Sequence, residues 1–242
     1  MIHTFLSRNE ALFLYQESDG FLFNSDTHFL YDFITRFNPK GTLLDIGAGC
    51  GILGLLIARD YPVLLTQIDK QPYNTALNTQ NARVNRIESA IITGDFLTYP
   101  FKQQFDLIVT NPPYYHDGVS KSENPFLHAS RYNSHLPPDR LIARAATLLA
   151  PRGRLILCYD PGQLQILSRA LSEAKLTIED LRFVHGTASK PASLVMLHAR
   201  KNSRAVTKIH PPLIHFERDG MTQEVKKIYQ TTRTYSIKCK IT

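Results

Sequence analysis

LLDIGAGCGILGLLIA, residues 43–58, is the stretch that decides how this chain folds. An apolar run ends in Asp45, passes Gly47, Gly49, Gly51 and Gly54, and continues as an apolar helical pattern. Glycines so placed let a strand turn sharply into a helix and leave bare backbone for a ligand to approach. Amides at the start of such a helix favour a negative group. Asp45 limits which ligand this is: a carboxylate before the turn repels a pyrophosphate and attracts a cation. The dinucleotide fingerprint also fails, because a GxGxxG reading from Gly47 and Gly49 meets Ile52 where its third glycine belongs.

Outward from this turn, short apolar runs at 42–46, 63–69, 90–93, 105–110, 154–159 and 193–199, with a weaker one at 177–184, alternate with helical patterns at 52–59, 73–83, 139–149 and 163–174. That alternation predicts an α/β fold, Rossmann-like, with a doubly wound, mostly parallel, seven-stranded sheet and helices on both faces. It occupies residues 40–200. Residues 1–39 are expected to form an N-terminal helical cap. Ser25 or Asp26 caps the helix, Phe29, Leu30, Phe33, Ile34 and Phe37 recur at helical spacing, and Asn38-Pro39 stops it. Residues 201–242, broken at His210-Pro211-Pro212 and with one helical pattern at 223–229, are expected to be a basic appendage.

Three acids stand at the carboxyl ends of three successive strands: Asp45, Asp69 and Asp95. Singly, each is an ordinary cap or turn residue. Together they line the edge where open α/β sheets bind ligands. Asp69 is placed to accept ribose hydroxyls and Asp95 an adenine amine, with Phe96 available to stack. Gly47, Ala48 and Gly49 of the turn, Lys70 beside Asp69, and Asn111 complete the expected cofactor site. S-adenosyl-L-methionine fits this set, because it carries an ammonium and a sulfonium and no phosphate.

The fourth strand runs into DLIVTNPPYY, residues 106–115. An amine conjugated to an aromatic ring is a poor nucleophile, since its lone pair is delocalised. Two acceptors on its N–H groups draw it toward tetrahedral geometry. The side-chain oxygen of Asn111 and the backbone oxygen of Pro112 are the candidates, with Pro112 and Pro113 holding the backbone extended. Tyr114 is placed to stack on a base. The polar, aperiodic segment 116–134 suits a lid or binding loop, whose Lys121, His128 and Arg131 are candidates to meet phosphates, or equally an ordinary mobile surface loop.

Composition narrows the class. With 43% hydrophobic and 20% charged residues in 242, the chain suits one sizeable globular domain. No apolar run reaches the roughly 18 residues of a membrane span, and the first 20 residues do not read as a signal peptide. Three dispersed cysteines (Cys50, Cys158, Cys239) suggest neither a disulfide framework nor a zinc site, and nine scattered histidines form no metal motif. A cytoplasmic protein without metal is expected, a monomer or weak homodimer. The net charge of +7 is uneven: residues 200–242 carry 10 Lys/Arg against 3 Asp/Glu, whereas residues 1–199 balance at 18 each. A basic segment suits a polyanionic partner or serves solubility.

DIGAGCGILG, QID, GDF and NPPY together resemble the class I, Rossmann-like methyltransferases that act on amino groups. FLFNSDTHFLYDFI, HASRYNS, KPASLVMLHARKN and PPLIHFERDGMTQEVKKIY narrow the resemblance to the bacterial tRNA1(Val) adenine-N6-methyltransferase family, over most of residues 20–230. The resemblance implies an S-adenosylmethionine-dependent enzyme whose partner is tRNA and whose target is the adenine next to the anticodon. Asp45, Gly47, Gly49, Asp69 and Asp95 take the cofactor roles, and Asn111, Pro112 and Tyr114 handle the base. Phe23, Ser25 and Asp26 line the site from the N-terminal helix. Lys121, Arg131 and Lys190 are assigned to the substrate. NPPY is shared with enzymes that methylate DNA adenine or a glutamine side chain of release factors, so a protein-glutamine N5-methyltransferase stays open. A non-catalytic nucleic-acid-binding protein of this fold would need a broken site, which this sequence does not show.

Overall fold

In the computed structural model, residues 10–17, 24–112 and 136–239 are described. The chain runs β1 (Leu12–Glu17), α1 (Ser25–Thr35), β2 (Gly41–Ile46), α2 (Ile52–Asp60), β3 (Val63–Asp69), α3 (Pro72–Val84), β4 (Ser89–Thr93) and β5 (Phe105–Thr110). After residue 135 come α4 (Pro138–Leu148), β6 (Leu149–Tyr159), α5 (Leu164–Glu173), β7 (Leu176–His185) and β8 (Ala192–Lys201). The closing elements are β9 (Lys208–Ile209), β10 (Leu213–Ile214), β11 (Phe216–Glu217), β12 (Gly220–Met221), α6 (Gln223–Thr232) and β13 (Thr234–Cys239).

The seven principal strands lie in the order β4-β3-β2-β5-β6-β8-β7, with only β8 antiparallel to its neighbours. This is the doubly wound sheet expected from the sequence. Its central strands are apolar on both faces because both are covered: Leu43 and Val109 face one layer, Leu44 and Ile108 the other, all fully buried. Each such side chain contributes about 1.5–3 kcal/mol by leaving water. The order reverses between β2 and β5, the point at which ligands bind in open sheets.

Three boundaries differ from expectation. The α1 N-cap is Asn24, whose Oδ1 accepts from the Asp26 amide at 3.1 Å, rather than Ser25 or Asp26. Strand β6 begins at Leu149, directly after α4, and not at 154: Leu149 pairs with Phe105 across a register shift that absorbs Pro151-Arg152-Gly153. β1 went unseen in the sequence because its partner is β13, at the other end of the chain.

Residues 201–239 depart from the appendage expected of them. β9 and β10 add to the edge of the sheet along β7, and α6 packs on α1 with Val225 and Ile228 buried. Leu213 is fully buried as well. His198 and His210 both bond the Asp180 carboxylate, at 2.9 and 2.8 Å, and tie the segment to the sheet. Arg59, with 1% exposure, donates to the Thr231 and Thr232 carbonyls at 3.1 and 2.6 Å and so satisfies the end of α6. Basic composition and the Pro-Pro break suggested an appendage, but Leu213 of β10 and Val225 and Ile228 of α6 hold the segment in the core.

Candidate active site

The turn after β2 is held from three sides. The Gly47 and Ala48 amides both donate to the Ile68 carbonyl, at 2.9 and 3.1 Å, and the Gly51 amide donates to Ala48. The Gly49 amide donates to the Asp69 carboxylate at 2.9 Å. Gly51 (φ 90°) has no room for a side chain, since a Cβ there would sit 2.1 Å from Asn78 Oδ1. Gly47 and Gly49 differ: their φ values of 65° and 56° favour glycine, yet a Cβ on either would meet nothing within 4 Å. Open space over bare backbone is what a cofactor lying across the turn needs. These amides are committed within the protein, so the turn offers room and adjacent carboxylates rather than an anion nest.

The expected cofactor acids are brought to one edge, but in unequal roles. Asp69 is 8% exposed, and its Oδ1 accepts from the Gln71 amide at 2.9 Å and from Asn74 Nδ2 at 3.1 Å. A carboxylate has about four acceptor positions, and with the Gly49 amide on Oδ2 one remains, on that oxygen, for a hydroxyl. Asp45 is turned inward, with 2% exposure, and its Oδ2 accepts from the Gly54 amide at 2.9 Å and Gln67 Nε2 at 3.2 Å. Burial raises its carboxyl to about 7, against the lowering effect of those two donors, and the charge of Asp69 adds to the rise. Asp45 therefore acts on the site by fixing the first turn of α2 through Gly54 and holding Gln67, which in turn bonds the Gly51 carbonyl, not as the open counter-charge read from the sequence.

Asp95 stands at the end of the next strand. Its Oδ1 accepts from the Leu97 amide at 2.9 Å and its Oδ2 pairs with Lys70 Nζ at 3.1 Å. Burial works to raise its carboxyl, but the Leu97 amide, Lys70 and Arg140 outweigh it and hold the group below its ordinary value. Lys70 is thus engaged by Asp95. Phe96, read as a stacking partner, is 5% exposed and packs in the core against Phe101. The sequence made Phe96 available for stacking because it follows Asp95; it lies in the turn after β4, where the apolar layer takes its ring inward. Cys50 lies in the turn, and burial pushes its thiol up to about 12, which keeps it protonated and unreactive.

Asn111 follows β5, whose Thr110 is register partner of Ile46 and donates to the Ile46 carbonyl at 2.8 Å. Adjacent strands run roughly 4.8 Å apart, so Asn111 emerges beside Gly47, at the reversal of strand order. Its Nδ2 donates to Thr27 Oγ1 at 3.1 Å, and its Oδ1 accepts from the Cys158 thiol at 3.1 Å. Thr27 brings the start of α1, with Ser25 and Asp26, to this point; Thr27 and Cys158 carried no signal in the sequence. Lys190 is exposed in the loop that leaves β7, at the same edge of the sheet. Phe23, Pro113, Tyr114, Lys121, His128 and Arg131 lie outside the described residues.

Residues 23–184 match the methyltransferase small domain family. The chain belongs to that family. It is an S-adenosylmethionine-dependent methyltransferase, with the fold of that class. A Porphyromonas gingivalis relative, a tRNA1(Val) (adenine(37)-N6)-methyltransferase, is 29% identical over 70% of this chain and 71% of its own length. One of the same name from Shewanella loihica is 30% identical over 65% of this chain and 69% of its own length. Among solved structures, a predicted O-methyltransferase from Agrobacterium tumefaciens superposes with a TM-score of 0.67 at 17% identity, over 88% of this chain and 99% of that one. That likeness concerns the fold. In this small domain methyltransferase, the elements that hold the turn and Asn111 all fall within the matched residues.

Proposed function

We propose that this methyltransferase acts on the exocyclic N6 of an adenine in tRNA, at the adenine next to the anticodon, in the cytoplasm. The observation that carries the reading is the position of Asn111: its amide is pinned beside the glycine turn, where the cofactor's space and the target amine must meet. S-adenosylmethionine, when bound, supplies a methyl group activated by a positive sulfur.

The rest of the chemistry belongs to the protein. Asn111 Oδ1 and the Pro112 carbonyl accept the two N–H bonds of the amine, which localises its lone pair and aims it at the methyl. Such catalysis rests on positioning and on fixed dipoles, with no covalent intermediate on the enzyme. Asp69 takes a ribose hydroxyl through its Oδ2 and Asp95 the adenine amine of the cofactor.

RNA is favoured over a protein glutamine by the relatives' names and by an exposed cation and an exposed aromatic at the carboxyl edge. Exposed Lys190 and exposed Phe216, whose amide donates to the Gly186 carbonyl at 2.9 Å, stand where β10 joins the end of β7, and the adjoining β11–β12 hairpin carries Arg218 between Glu217 and Asp219. Cations with an exposed aromatic suit phosphates and an unstacked base, and the target base must leave its stack to react. Mass spectrometry of nucleosides from tRNA, before and after incubation with enzyme and cofactor, tests the assignment. A gain of N6-methyladenosine is expected. Labelled methyl on release factors, with tRNA unchanged, would transfer the assignment to glutamine.

A further inference from the structure

We propose that Thr27 and Cys158 are positioning residues that hold the Asn111 amide with its oxygen ready for the target amine, an inference that rests on the base-handling role of Asn111. An asparagine amide offers two N–H donors and one oxygen with two lone pairs. Thr27 Oγ1 takes one donor at 3.1 Å, and the Cys158 thiol takes one lone pair at 3.1 Å. Among the described residues nothing takes the other lone pair, which is the one the amine would use. An amide loose about its last torsion would present nitrogen as readily as oxygen, and nitrogen cannot accept a hydrogen bond from an amine.

Both partners are themselves fixed. Thr27 is 4% exposed in the first turn of α1, and Cys158 is fully buried in β6. The parallel register pairs Thr110 with Leu157, so the next residues, Asn111 and Cys158, run side by side. Burial, and after it the charge of Asp26, raises the thiol well above its ordinary range, so it remains a donor at any working pH. The N-terminal helix therefore reaches the chemistry through one hydroxyl, and the strand beside β5 reaches it through one thiol.

The test compares Thr27→Val, Thr27→Ser, Cys158→Ala, Cys158→Ser and Asn111→Ala on unmodified tRNA transcripts with labelled cofactor. Thr27→Val and Cys158→Ala should each lower kcat by about ten- to a hundredfold, the scale of a misplaced group. KM for the cofactor and the thermal midpoint should stay near wild type. The two serine variants keep a hydroxyl and should restore turnover. Should Thr27→Val fail to fold, the Cys158 pair decides alone. If Thr27→Val and Cys158→Ala turn over normally while Asn111→Ala is inactive, the positioning role is overturned and the role of Asn111 stands. If Asn111→Ala is itself active, the base-handling reading fails. A fall in kcat that the serine variants do not restore would mark a packing effect and overturn the proposal.

Discussion

The carboxylate of Asp69 accepts a hydrogen bond from the Gly49 amide at 2.9 Å, so the end of one strand fixes the turn that follows its neighbour. Its second oxygen fixes the start of α3 through Gln71 and Asn74. One side chain thereby sets the backbone around the cofactor's space and keeps acceptor capacity toward it. Asp69→Ala should raise the Kd for S-adenosylmethionine by about ten- to a hundredfold, the worth of a hydrogen bond to a charged group. Isothermal titration measures this. Unchanged affinity in a folded variant would remove Asp69 from the site.

Asp45 makes stability depend on pH in an unusual direction. Burial holds its folded carboxyl at about 7, above the 3.8 of an ordinary aspartate. The folded state thus binds a proton that the unfolded chain releases, so the contribution is fully present below about pH 4 and is lost as pH rises toward 7. Within that window, each pH unit costs at most about 1.4 kcal/mol. Urea unfolding of the wild type and Asp45→Asn at pH 5, 6 and 7 should show the gap closing in favour of the asparagine variant as pH rises. A constant difference would contradict the raised carboxyl.

Arg59 forms a buried ion pair with Asp60 at 2.7 Å while capping α6. Tyr31 also donates to Asp60. Arg59→Ala leaves a buried carboxylate and three carbonyls (Glu10, Thr231 and Thr232) without their cation, and should cost about 3–5 kcal/mol. A loss below about 1 kcal/mol in equilibrium unfolding would show that the carbonyls find other donors.

Deleting residues 201–242 is a poor probe of RNA binding, because it removes Leu213, Val225 and Ile228 from the core. Charge reversal of exposed side chains separates binding from folding. Lys190→Glu with Arg218→Glu should weaken tRNA binding and flatten its salt dependence by about 0.7–0.9 in log–log slope for each phosphate no longer neutralised. Cofactor affinity should not move. An unaltered salt slope would place the RNA on another face.

The sheet was legible because its signals are local. Alternating apolar runs, the glycine turn and the acids at strand ends each depend on residues close in sequence, and β3 and β5 fall where the pattern puts them. The pairing of β1 with β13 and the burial of Arg59 were not, since each depends on segments far apart in the chain.

What the sequence determined by itself is the fold and the standing of Asp45, Asp69, Asp95 and Asn111 at or just past the ends of their strands, for these follow from residue type and spacing. Tertiary structure decided which way each side chain faces. It turned Asp45 and Phe96 inward, and it brought Thr27 and Cys158 to Asn111 from two distant segments. Side-chain direction at a sheet edge is set by what packs above and below, and no single stretch of sequence contains both.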